Sequence, residues 1–219
     1  MTTKMNLKNF YSLARVLVFL GKPGCGKETQ RMLHTETVEQ LGISSMLVET
    51  GTRFRQITSK DDKTLSPYTK EKVTEIMESG GLLPASMAIS IWDQEISSQY
   101  KHGQNLFCDG LIRDIKEIDV FEDFLSKIYG LVPIYLCFEV CDKTSFDRQT
   151  ERNKTVPRLE TSTPEKIRHR IDEWYRYSKP VVDAIQNNPN INKRFHLIGG
   201  ESSSDNVFKI TERVLSTQY

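Results

Sequence analysis

An apolar run, Val16-Leu17-Val18-Phe19-Leu20, empties into Gly21-Lys22-Pro23-Gly24-Cys25-Gly26-Lys27-Glu28-Thr29-Gln30. Gly21, Gly24 and Gly26 permit positive φ angles, so successive backbone N–H groups can turn inward onto phosphate oxygens. A helix starting here adds its unpaired N-terminal donors and the positive end of its dipole. Lys27 then reaches the β and γ phosphates. With a strand in front of it, the spacing G-x-x-x-x-G-K marks a nucleotide phosphate site. Where such loops carry Ser or Thr for Mg²⁺, this chain carries Glu28, followed by Thr29.

The elements that must hold this cradle are legible as alternation. Apolar runs ending in Gly, Thr or Asp alternate with longer segments of helical period, the signature of βαβ units on a parallel sheet. Val16-Leu20, Ser45-Val48, Asn105-Cys108, Ile134-Val140 and Arg194-Ile198 are the expected strands. Expected helices cover Glu28-Leu41, Pro67-Ser79, Pro84-Tyr100, Asp119-Ile128, Lys143-Thr150 and Pro164-Asn187, the last bent at Pro180. In an open parallel sheet the ligand crevice lies at the carboxyl ends of the strands. Thr50-Gly51 follows the second strand and Asp109-Gly110 the third, so these loops converge with the cradle on one cleft.

The 219 residues suit one α/β domain with small excursions. Thirty Lys and Arg against 29 Asp and Glu leave a net charge of +1, which points to no nucleic-acid and no membrane partner. Cys25, Cys108, Cys137 and Cys141 show no paired C-x-x-C spacing for zinc and read as reduced, mostly buried thiols. No apolar run approaches the roughly 18 residues of a membrane span, and Met1 to Ala14 has no leader-like apolar core. The expectation is a cytosolic, monomeric protein.

With these loops in hand the chain resembles the adenylate kinase family of nucleoside monophosphate kinases, from Val16 to about Val207. Gly21 to Gln30 is similar to the family's G-x-P-G-x-G-K-G-T-Q. Thr50-Gly51-Thr52-Arg53-Phe54-Arg55 is similar to T-G-D-x-x-R, Gly80-Gly81-Leu82-Leu83-Pro84 to G-x-L-V-P, and Asp109-Gly110-Leu111-Ile112-Arg113 to D-G-[FY]-P-R. Arg148, Arg152, Arg158 and Arg170 fall close to the spacing of the family's lid arginines.

The resemblance implies a three-layer α/β/α fold of P-loop NTPase type with a five-stranded parallel sheet. A core of about 15–49, 101–151 and 165–219 would carry a helical acceptor-binding insertion, about 50–100, and a short lid, about 152–164, stiffened by Pro157 and Pro164. The implied activity is transfer of the γ-phosphoryl of ATP-Mg²⁺ to a nucleoside monophosphate, with ATP and Mg²⁺ as cofactors and small nucleotides as partners. Such chemistry needs positioning and charge neutralisation more than covalent help.

Carried over residue by residue, Gly24, Cys25, Gly26, Lys27, Glu28 and Thr29 would form the donor cradle, and Arg148 would cover the donor base. Arg55 and Arg113 would clamp the acceptor's α-phosphate, as planar forks do well. Thr50, Gly51, Gly80, Leu83 and Gly110 would line the acceptor pocket. Arg152, Arg158 and Arg170 would join Lys27 and Arg113 around the transferred phosphoryl, and Asp109 would order Mg²⁺ through water. Arg53, Arg168 and Arg176 read as solvated charges.

Several positions depart from the pattern. Glu28 replaces a glycine, and a carboxylate about 6 Å from a phosphate costs on the order of 3 kcal/mol at an effective dielectric near 20. Three outcomes stand open: repulsion of the donor, direct ligation of the metal by Glu28, or a turn away that complements the helix N-terminus. Thr52 replaces an aspartate and Ile112 a proline, and Leu159-Glu160-Thr161 stands where the family has a lid aspartate pair. Glu117 stands where adenylate kinases place a glutamine that reads adenine. A carboxylate only accepts hydrogen bonds, so it favours guanine or uracil N–H groups, leaving GMP or a pyrimidine monophosphate beside AMP; alternatively Glu117 lies on an exposed helix turn. Two functions from different classes follow: a phosphotransferase, or a nucleotide-binding relic with weak or no turnover.

Overall fold

The computed structural model describes residues 2–59, 61–79, 81–156 and 158–218. Among these, β1 (Val16–Gly21), β2 (Ser45–Glu49), β3 (Asn105–Asp109), β4 (Pro133–Glu139) and β5 (Phe195–Gly199) form one sheet in the order β2-β3-β1-β4-β5. Every pairing is parallel. The central strand is apolar throughout because both its faces are covered. Val16, Val18 and Leu20 point into a core shared with Trp92, Ile96 and Phe121, while Leu17 and Phe19 point into a second core with Phe10, Tyr11 and Val38. Helices therefore flank the sheet on both sides, as the expected three layers require.

Helix α1 (Thr2–Tyr11) packs on α2 (Lys27–Gln40) and on α10 (Ser204–Gln218); the Tyr11 hydroxyl lies 2.6 Å from His34 Nδ1 on α2. Between β2 and β3 the chain inserts α3 (Thr50–Ile57), α4 (Pro67–Glu78) and α5 (Ala85–Gln99). Ser66 caps α4 by accepting from Thr69 N, with Pro67 in the first turn, where its missing N–H costs nothing. The insertion has its own small core of Phe54, Ile57 and Val73, with Leu65, Met77 and Leu83 against it. The far end of α5 carries Trp92 and Ile96 into the main core and so fixes the insertion to the sheet.

After β3, α6 (Lys116–Phe124) closes in a π-helical turn, Leu125–Tyr129. Two stalks then rise from the carboxyl edge of the sheet: α7 (Asp142–Thr155) and α8 (Pro164–Glu173), joined through a 3₁₀ turn at Leu159–Thr161. A second π turn, Trp174–Ser178, leads into α9 (Lys179–Asn187).

The five expected strands form with ends shifted by a residue. Three helices were not read from the sequence: α1, α3 and α10. The helix expected over Pro164–Asn187 is interrupted upstream of Pro180, by the π turn Trp174–Ser178, and Pro180 lies in the first turn of α9, where no helical N–H is required of it. Helix α7 runs past Thr150 to Thr155, so Arg152 is held on a helix and not in a loop. The start expected at Asp119 lies at Lys116. Among the described residues, no helix is long and apolar enough to cross a membrane.

Candidate nucleotide site

The cradle follows from where β1 must end. Leaving the sheet at Gly21, the chain turns back through Gly24 and Gly26, whose φ angles are 77° and 95°, and α2 begins at Lys27. A Cβ on Gly24 would lie 2.6 Å from Ser145 O, so only glycine lets the loop pack this closely on α7. Gly26, the residue before α2, offers no side-chain cap, which leaves the first N–H groups of α2 for a ligand.

The loop is anchored from the core side. Ser145 Oγ donates to Pro23 O at 2.6 Å, and Arg148 Nη2 donates to Gly200 O at 2.9 Å while its Nη1 lies 3.5 Å from Cys25 O. Lys22 is almost fully buried and donates to Asp142 Oδ1 at 2.5 Å and to the Tyr175 hydroxyl at 2.9 Å. Its ammonium also lies over the Trp174 and Tyr175 rings, 5.3 and 4.8 Å from their centroids. Burial works against its charge, but Asp142 and Tyr175 outweigh that and hold the group above the usual lysine range. Asp142 opens α7 and Tyr175 follows α8, so one side chain joins the cradle to the feet of both stalks.

On the other side of the cleft, Asp109 ends β3 with 5 % of its surface exposed. Burial raises its proton affinity, Glu49 adds to the rise, and Lys27 and Arg31 oppose it. Gly110 follows with φ 69°, and a Cβ there would lie 2.9 Å from Arg113 Nη2. Arg113 Nε donates to Gly110 O at 3.0 Å, and Thr50 Oγ1 donates to the same oxygen at 2.8 Å. Arg55 Nη2 donates to Thr52 Oγ1 at 2.9 Å, and Thr52 Oγ1 donates to Glu49 Oε2 at 2.5 Å.

The stalk cations complete the ring. Arg158 Nη2 lies 3.2 Å from Glu28 Oε2, and Arg170 Nη1 lies 3.4 Å from Glu160 Oε1. Arg152 Nε and Nη2 are buried with no hydrogen-bond partner. Burial lowers the proton affinity of Arg152, with Arg158 adding to it, and brings Arg170 down to about 10. Half-buried guanidinium groups gathered on one cleft, some with unused donors, would be stabilised by an anion that reaches all of them.

The space they enclose is a cleft of about 330 Å³ bounded by the cradle, Asp109 and the arginines, beside a second of about 510 Å³ toward the insertion. Arg55, Arg113, Arg158 and Arg170 border both. The donor set suits a polyphosphate with a hydrated hard cation: Asp109 offers carboxylate oxygen, and the remaining ligands of Mg²⁺ would be phosphate and water. Among the described residues, no group of three or more His, Cys, Asp or Glu is arranged to hold a metal by protein ligands alone.

Of the residues expected from sequence, Gly24, Gly26, Lys27, Glu28, Thr29, Gly51, Arg55, Asp109, Gly110, Arg113, Arg148, Arg152, Arg158 and Arg170 meet around this cleft. Glu28 stands in the first turn of α2 and pairs with Arg158, a partner that none of its three expected courses included. The Cys25 side chain is buried in the core under the loop, and Leu83 packs into the insertion's own core. Thr50 is buried and bound to Gly110. Gly80 and Pro157 lie outside the described residues.

Glu117 lies neither on an exposed turn nor on the cleft. It is 1 % exposed, and its Oε1 accepts from Arg113 N at 3.3 Å and Asp114 N at 3.0 Å. Trp92 is its neighbour, and Glu117 Oε2 and Trp92 Nε1 are both buried away from solvent. Burial pushes the carboxyl up to about 7, against the pull of those two N–H groups. Lys22, Arg31, Glu49 and Glu160 were not found by sequence reasoning. Glu49 could have been, as the last residue of a strand at the carboxyl edge.

A family model described as adenylate kinase matches residues 19–190. An adenylate kinase of Flavobacterium psychrophilum is 27% identical over 200 residues, covering 91% of this chain and 97% of that protein. One of Prochlorococcus marinus is 29% identical over 170 residues, covering 78% and 82%. The human adenylate kinase isoenzyme 5 is 23% identical over 194 residues, which are 89% of this chain and 31% of that longer protein.

Proposed function

The chain belongs to the adenylate kinase family and is a nucleoside monophosphate kinase, and from that premise we propose that it transfers the γ-phosphoryl group of ATP, with Mg²⁺, to AMP. One observation carries the reading: Lys27, Arg113, Arg152, Arg158 and Arg170 converge on a glycine-built cradle, and Arg152 keeps buried donors with no protein partner. Phosphoryl transfer spreads charge over the moving group's oxygens, and fixed cations positioned beforehand are what lower its barrier.

In this reading the cradle N–H groups and Lys27 hold the β and γ phosphates of the donor, and Arg148, pinned flat against the loop, covers its base. Arg55 and Arg113 receive the acceptor's α-phosphate from the insertion side. Arg152, Arg158 and Arg170 close over the phosphoryl in flight and keep water from it. Asp109 would hold Mg²⁺ through water, and the bound ion would neutralise charge on the β and γ oxygens. Glu28 belongs to the donor side: its pairing with Arg158 relieves the repulsion its charge would exert on phosphate.

AMP is the acceptor we favour. The argument for GMP or a pyrimidine monophosphate rested on Glu117, whose carboxylate caps the Arg113 loop from below and reads no base from there. Three buried free thiols, Cys25, Cys108 and Cys137, agree with a reducing cytosol.

The same Glu28 contact, with Glu160 on Arg170, favours a second reading: a nucleotide-binding protein whose catalytic arginines are occupied by its own carboxylates and which turns over weakly or not at all. Diphosphate formation from ATP-Mg²⁺ with AMP, GMP, CMP, UMP and TMP, with Lys27→Ala as the blank, separates the two. Turnover with AMP first supports the kinase as stated. Another preferred acceptor overturns the choice of base, and silence across the panel with measurable ATP binding supports the second reading.

A further inference from the structure

The insertion begins with a hydrogen-bonded chain that no part of the preceding reading uses. Glu49 ends β2 in register with Asp109 on β3, at the rim of the cleft. Thr52 lies on the first turn of α3 and gives its single hydroxyl proton to Glu49 Oε2. That leaves the hydroxyl oxygen to accept, and Arg55 Nη2 donates to it at 2.9 Å. Every link is polarised in one direction, from guanidinium through hydroxyl to carboxylate, and bonds with charged ends are the stronger ones.

Arg55 needs such a tether. Its side chain is exposed, and a free arginine gives up considerable rotamer entropy when a ligand fixes it. Its Nη1 lies 3.6 Å from where a Cβ on Gly51 would be, so the backbone leaves it room to lie flat against α3. The motif it belongs to carries aspartate at the position of Thr52. A hydroxyl there cannot supply the negative charge itself, and Glu49 supplies it from the end of the strand.

We propose that Glu49 is a positioning residue for phosphoryl transfer: through the Thr52 hydroxyl it aims Arg55 into the cleft and thereby sets the affinity for the acceptor's phosphate. The inference rests on the reading of Arg55 as an acceptor-phosphate ligand. Its sign is opposite to that of a simple charge effect. A carboxylate at the rim repels an anionic acceptor, so removing it would tighten binding if repulsion were all it did. A tether predicts weaker binding instead.

The test is steady-state kinetics on the full chain with both substrates varied. Glu49→Gln and Thr52→Val should each raise the KM for AMP about tenfold while kcat and the KM for ATP change less than about twofold. The double variant should be no worse than either single one, since both cut the same chain. Thr52→Asp in the Glu49→Gln background should restore most of the loss by placing a carboxylate directly on Arg55. An unchanged or lowered KM for AMP in Glu49→Gln, or a failed rescue, overturns the tether. Equal losses for both substrates with a lower melting temperature would assign Glu49 a merely structural part and overturn it as well. Arg55→Ala keeps the two levels apart: if it leaves the KM for AMP unchanged, the reading of the site fails, whereas a large rise with no effect of Glu49→Gln fails the tether alone.

Discussion

The cradle and the stalk arginines solve opposite problems with opposite means. The cradle offers phosphate its backbone N–H groups in the proposed reading, and their positions are set by the sheet and by three anchors, Ser145, Arg148 and Lys22. Its geometry is complete without a ligand. The stalk arginines offer long charged side chains instead, and their geometry depends on what pairs with them. Glu28 holds Arg158, Glu160 lies against Arg170, and Arg152 has unused buried donors. The lesson is that this protein keeps its donor side rigid by construction and its catalytic side compact by internal neutralisation.

Breaking the rigid side should cost most. Lys27→Ala should lower kcat/KM at least a thousandfold with an unchanged unfolding midpoint, because the proposed work of the lysine is to hold phosphate and it makes no side-chain contact that the fold depends on. Next is Glu117→Gln, which probes the support beneath Arg113. A carboxyl raised to about 7 in the folded chain, from 4.5, binds its proton more tightly when folded, so the parent loses stability as pH rises between those values. Urea unfolding should show the parent about 2 kcal/mol less stable near pH 8 than near pH 5 through this group, a slope the amide variant lacks. Acceptor preference should stay as it was, since Glu117 lines neither cleft.

Glu28→Gly sharpens the comparison on the catalytic side. Freed from its carboxylate partner, Arg158 should be open to phosphate, and the KM for ATP should fall about tenfold; a rise would mean that Glu28 serves the bound metal. The smallest effect is expected of Lys22→Met, which keeps the buried stem but removes the bonds to Asp142 and Tyr175. About a threefold rise in the KM for ATP with little change in that for AMP would place its work in the cradle alone.

The inner strands β1, β3 and β4 were legible because they are buried on both faces and read as apolar runs, whereas the edge strands β2 and β5, which leave Leu47 and Leu197 exposed, gave a weaker signal. The glycine turn was legible because a loop with positive φ at Gly21, Gly24 and Gly26 demands that residue type. Helix α3 was hidden behind its motif: Thr50 to Arg55 attracts attention as a loop sequence, and eight residues give too few turns for a clear period. Helix α1 is polar over much of its length, and Tyr11 finds its purpose only against His34. The arginines were legible by spacing, but their partners were not. Glu28 and Arg158 meet only after α7 and the 3₁₀ turn have folded back over the cradle. Glu117 misled for the same reason: its neighbours in sequence suggest a base, while its neighbours in space are two backbone N–H groups and a tryptophan.

The carboxylates at the arginines also change what binding a nucleotide means thermodynamically. Phosphate reaching Arg158 in this cleft would not capture a waiting cation; it would trade places with Glu28, and the affinity gained there would be the difference between two ion-pair energies, not the whole of one. Mobile ions in solution weaken both sides of that trade. The nucleotide affinity should therefore fall less steeply with added salt than the number of arginines around the cleft would suggest, and Glu28→Gly should steepen it.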